Sequence, residues 1–63
     1  MNLNIRRIRR EKDITQEALS AKSGVSRARI SSLEQGTAND TTASTLVKIA
    51  DALGVSVSDL FLD

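Results

Sequence analysis

The sequence predicts an all-α domain, compact and built of five helices, on three observations. Proline is absent and Phe61 is the lone aromatic residue, while apolar residues recur at helical rather than alternating spacing. Each of the three glycines, Gly24, Gly36 and Gly54, closes an apolar-periodic run, where a residue without a Cβ takes up the left-handed conformation that ends a helix. Three hydroxyl residues, Thr15, Ser26 and Ser56, each follow an apolar residue and precede another by four positions, the pattern of an N-cap inside a hydrophobic staple.

The first helix, 3–12, turns Ile5 and Ile8 inward and Arg6, Arg7 and Arg10 elsewhere. The second, 16–23, opens at Ile14-Thr15, stapled to Leu19, and stops at Gly24. The third, 27–35, opens at Val25-Ser26, stapled to Ile30, and stops at Gly36. Ile30 and Leu33 point to its core side, and the opposite face holds Ala28, Ser31 and Ser32, flanked in the first turn by Arg27 and Arg29. Over 44–53, Leu46, Ile49, Ala50 and Leu53 follow the i, i+3, i+4, i+7 pattern of a buried stripe. The fifth helix, 57–62, opens at Val55-Ser56, stapled to Leu60, with Asp59 at the third position to complete a capping box.

A chain of 63 residues has room for one domain, spanning 1–63. Without cysteine or histidine it has neither a disulfide nor the usual ligands of a zinc site, so packing, capping and association must stabilise it, and neither metal nor cofactor is expected. The same absences, with no carboxylate pair that the sequence places in a pocket, argue against an enzyme: Ser20, Ser31 and Ser32 have no base beside them and read as polar surface. No stretch approaches the roughly 20 apolar residues of a membrane span, and charges occupy the place of a signal peptide's apolar region. A soluble, unprocessed, cytoplasmic protein is expected, with no membrane partner and, lacking a sensor domain, no small-molecule ligand.

The net charge of +1 conceals a polarised chain. From Met1 to Gly36 eight lysines and arginines face four acids, whereas from Thr37 to Asp63 only Lys48 faces four aspartates. A basic first half suits a polyanion such as DNA and an acidic second half would face away from it; a solvated arginine-rich helix gives the same numbers. Little more than Gly24, Val25 and Ser26 separates the second helix from the third, the spacing of a helix-turn-helix and also of a structural helical hairpin. The third helix shifts the balance toward the helix-turn-helix. A small-residue face lets backbone and bases approach closely, and two arginines in a first turn oppose the helix dipole, a cost that an anionic partner explains.

The segment Gln16 to Gln35, QEALSAKSGVSRARISSLEQ, resembles the helix-turn-helix of the Cro/C1-type (XRE) regulators, the family of the lambdoid phage repressors. The likeness extends through the lead-in RIRREKDITQEAL, the turn GVSRARIS, the ending Glu34-Gln35-Gly36 and the closing LVKIADALGVSVSDLF. It implies a five-helix domain that binds operator DNA through the major groove by its third helix, as a transcriptional regulator and repressor, and as a two-fold dimer. By resemblance, Gln16 holds a phosphate. Ser26, Arg27, Ala28 and Ser32 match positions that approach phosphate or base edges, with Arg29 beside them, and Arg9 and Glu34 match a pair tying the first helix to the third. Two departures stand out: Ser20 replaces a frequent alanine, and the loop 37–42 has no basic residue and is about one residue longer. The electrostatic burden then moves to Arg6, Arg7, Arg10 and Arg29, with Arg10 expected on phosphate.

The alternative on the same fold is an antitoxin-like protein-interaction module, for which Arg27 and Arg29 around a small-residue face would have no use. With no second domain to drive pairing, a dimer interface is expected at the apolar segment near the chain end, where a two-turn helix cannot bury Phe61 and Leu62 on the same side as Leu60. In a monomer, both would instead cap the core.

Overall fold

The computed structural model describes residues 3–36 and 41–61. These form four α-helices, α1 (Ile5–Glu11), α2 (Gln16–Ser23), α3 (Arg27–Gln35) and α4 (Ala43–Leu53), followed by a single 3₁₀ turn, Val57–Leu60. One side chain from each of the five elements, namely Ile5, Leu19, Ile30, Ile49 and Leu60, has no exposed surface at all. Leu19, Ile30 and Leu60 are the staple residues of their elements, and their partners Ile14, Val25 and Val55 pack into or against the same cluster. The hydroxyl caps accept from the backbone N–H three positions on: Thr15 from Ala18, Ser26 from Arg29, and Ser56 from Asp59. Asp59 answers with its carboxylate to the Ser56 N–H, which holds that carboxyl below its usual range because the hydrogen bonds from Ser56 favour the charged form.

The sequence expectation of five α-helices is corrected at both chain ends, and for one reason. Leu3 and Phe61 form an antiparallel bridge, and the Asn4 N–H donates to the Leu60 carbonyl at 2.7 Å. That pairing holds residues 3 and 4 out of the first helix, which starts at Ile5 and not at 3. It also leaves Phe61 extended at φ −96° and ψ 138°, so the fifth element stops as a 3₁₀ turn and does not run to 62. Phe61 is 41 % exposed, and Leu62 lies outside the described residues.

The end of α1 uses a residue that the glycine pattern does not flag. Asp13 takes the left-handed conformation at φ 55°, donating to the Arg10 carbonyl while Ile14 donates to that of Arg9. This is the closing geometry that Gly54 provides after α4, where Gly54 and Val55 donate to Asp51 and Ala50. Aspartate tolerates it better than most residues, through its short polar side chain.

Candidate nucleic-acid interface

The α2–α3 turn is tightly determined. Gly24, at φ 76°, donates its N–H to the Ser20 carbonyl, and Val25 is buried beneath the turn. The Val25 N–H, unlike its counterparts at Ile14 and Val55, turns from the preceding helix's carbonyls and donates to Ser23 Oγ at 3.1 Å. Ser23 is therefore buried for a structural purpose, since an unsatisfied buried N–H is costly.

What this turn projects is the first turn of α3. Ser26, Arg27, Ala28 and Arg29 are all exposed, Ser31 and Ser32 are half-buried, and Ile30 and Leu33 are buried on the opposite side. At about 100° per residue, Ala28, Ser32 and Gln35 lie on the outward face, with Arg27 on the edge toward α2 and Arg29 on the other. Gln35 was missed from sequence because its place at the helix end hides its alignment with Ala28. It is exposed and donates to Ser31 Oγ at 2.8 Å. No acid lies in the first turn of α3, so nothing in that turn answers the helix dipole, and the two arginines add positive charge to an end that is already positive.

The orientation of this face is fixed by a buried carboxylate. Glu34, with a side chain only 3 % exposed, accepts from Arg9 Nε at 2.8 Å and Arg9 Nη2 at 3.1 Å, a two-pronged pair linking α1 to α3. Arg9 Nη1 donates to the Ile14 carbonyl at 2.8 Å, which ties in the α1–α2 connection as well. The Glu34 hydrogen bond raises the Arg9 guanidinium above its already high value; partial burial works against this rise and the Glu34 charge adds to it. The Gln16 amide donates to Glu34 Oε1 at 3.2 Å, so this residue, expected on phosphate by resemblance, is first of all a tether between α2 and α3. A primary amide has two N–H donors, so the contact leaves one in hand.

The neighbouring Glu17 was also missed from sequence. Its carboxylate accepts from Arg27 Nη1 at 3.1 Å, on the exposed side of the turn. The first turn of α2 thus reaches both ends of one α3 edge: Gln16 grips Glu34, and Glu17 grips Arg27, two positions about 10 Å apart along the helix. Arg10 stands apart on exposed α1 surface, where with Arg6, Arg7 and Leu3 it lines a shallow groove. Arg6 lies 4.0 Å from Glu34, and Arg7 the same distance from Glu11. Chemically, the surface offers forked cationic donors and small side chains. It suits an anionic, acceptor-rich partner.

A family model described as helix-turn-helix matches residues 5–60. An uncharacterized HTH-type transcriptional regulator of Sinorhizobium fredii is 51 % identical over 57 residues, which are 90 % of this chain and 73 % of that protein. The crystal structure of a hypothetical transcription factor, NHTF, from Neisseria superposes with a TM-score of 0.82 at 34 % identity, over 92 % of this chain and 66 % of the other. Among the described residues, no helix is long and apolar enough to cross a membrane.

Proposed function

The chain belongs to the helix-turn-helix family of transcriptional regulators, and from that premise we propose that it binds operator DNA with α3 in the major groove and represses transcription in the cytoplasm. The observation that carries this reading is the first turn of α3: Arg27, Ala28 and Arg29 all stand exposed there, in a turn that contains no acid, and follow a connection whose Gly24 and Val25 N–H groups are both bonded. Arg27 reads guanine through O6 and N7, the arrangement of acceptors that a guanidinium fork matches. Ser26, Arg29 and Arg10 work on phosphate, joined by the second N–H of Gln16. Ala28, Ser31 and Ser32 allow α3 to sit close to the base edges.

Residues 1–63 act as one DNA-binding unit, and two such units pair on half-sites roughly 34 Å apart. The pairing surface is the apolar chain end, where Phe61 is 41 % exposed and Leu62 follows. The reading is tested by a gel shift with genomic fragments at two salt concentrations. Binding that weakens steeply with salt supports it, because released counterions report phosphate contacts. A chain that shifts no DNA even at low salt would be an interaction module on this fold.

A further inference from the structure

The ion pair between Glu17 and Arg27 contributes little to the fold. The two side chains are 79 % and 62 % exposed, and a pair of this kind adds only a small increment to folding in water, enough to bias a side chain and not enough to hold a fold together. Yet the contact bridges the two helices at the point where α3 would meet DNA. We propose that Glu17 is a positioning residue for base readout, holding the Arg27 guanidinium so that its Nε/Nη2 edge faces guanine. The proposal rests on the reading of α3 as the groove-entering helix.

Three features carry it. A guanidinium is planar with five N–H donors, and the bond at 3.1 Å to Glu17 engages Nη1 alone, which leaves the Nε and Nη2 donors side by side as the fork that fits two acceptors. Glu17 is itself anchored, because the adjacent Gln16 is tethered to Glu34 and fixes the first turn of α2 against α3. An arginine already held in one orientation loses less freedom on binding than one sampling solvent. Finally, the acid makes a wrong base costly. Guanine alone presents two major-groove acceptors to a single arginine fork; where the base offers fewer, Arg27 must move to find others, and Glu17 is left as an unpaired negative charge among phosphates.

The test uses the full chain and randomised DNA duplexes. Selection on wild type fixes the preferred base opposite Arg27, and competition binding then compares that duplex with its three single-base variants for wild type, Glu17→Gln, Arg27→Ala and the double variant. Arg27→Ala is expected to lower the base preference about tenfold or more. Glu17→Gln, whose melting temperature stays at the wild-type value, lowers it roughly threefold while tightening binding to the non-preferred duplexes, and adds nothing to Arg27→Ala in the double variant. An unchanged or sharper preference in Glu17→Gln, with the Arg27→Ala effect intact, overturns the positioning role alone. No selected sequence, or a preference that survives Arg27→Ala, overturns the base-readout reading and this inference with it.

Discussion

Truncating Arg9 to alanine is expected to destabilise this domain more than any other single arginine change. The substitution removes both prongs to Glu34, at 2.8 and 3.1 Å, and the bond to the Ile14 carbonyl at 2.8 Å. It leaves a carboxylate only 3 % exposed with one amide donor from Gln16 and with Arg6 at 4.0 Å as its nearest cation. Stranding one partner of a buried pair costs about 3–5 kcal/mol. The surviving Gln16 contact and the approach of Arg6 reduce this to roughly 2–4 kcal/mol, a large share of the roughly 3–9 kcal/mol expected for a chain of this length. In thermal unfolding followed by circular dichroism, Tm falls by roughly 8–30 °C, since about 4–8 °C accompanies each kcal/mol in a small domain. Arg7→Ala is the control: its pair with Glu11 is 4.0 Å long and exposed on both sides, and its loss shifts Tm by no more than about 4 °C. Equal small shifts from the two variants would refute the reasoning.

Other expectations follow from the same contacts. Arg27→Ala costs roughly 1–3 kcal/mol on the cognate duplex and relaxes one base position, whereas Arg10→Ala weakens all duplexes alike and reduces the salt slope by about one, both measured by fluorescence anisotropy titration. A uniform loss from Arg27→Ala would make that residue a phosphate contact. Asp13→Gly relieves the left-handed strain at φ 55° and raises stability by about 0.5–1 kcal/mol in urea unfolding; a loss would show that the aspartate side chain matters more than the backbone. The lowered Asp59 carboxyl contributes stability above its ordinary value of 3.8 and loses it as pH falls through the folded value, so Asp59→Asn flattens the loss of stability at pH below that ordinary value; an unchanged acid limb contradicts the capping box. Leu62→Asp impairs association more than folding in sedimentation, and a wild-type monomer at high concentration would remove the dimer.

The sequence makes the helices legible wherever their ends are chemically local. Thr15, Ser26 and Ser56 cap within three residues, and Gly24, Gly36 and Gly54 terminate through their own backbone freedom, so each boundary is written beside the helix it bounds. Local pattern fails where the partner is distant. Leu3 and Phe61 lie at opposite ends of the chain, and their bridge shortens both the first helix and the last, against a staple and capping box that suggest a longer turn. Asp13 does a glycine's work, which no composition rule marks. At the site, the exposed face of α3 follows from helical periodicity, and Arg9 and Glu34 stand on facing helix edges. The Gln16 and Glu17 contacts instead depend on how α2 crosses α3, which only the assembled fold provides.

The central claim, that α3 is the surface meeting DNA, is tested most directly by titrating isotopically labelled protein with a selected duplex and following its backbone amide resonances. The largest perturbations are predicted at Ser26 to Ser32 and at Gln16 and Glu17, with Leu46 to Leu53 little changed. Perturbations concentrated on α4 and the 3₁₀ turn, with the first turn of α3 unmoved, would contradict it.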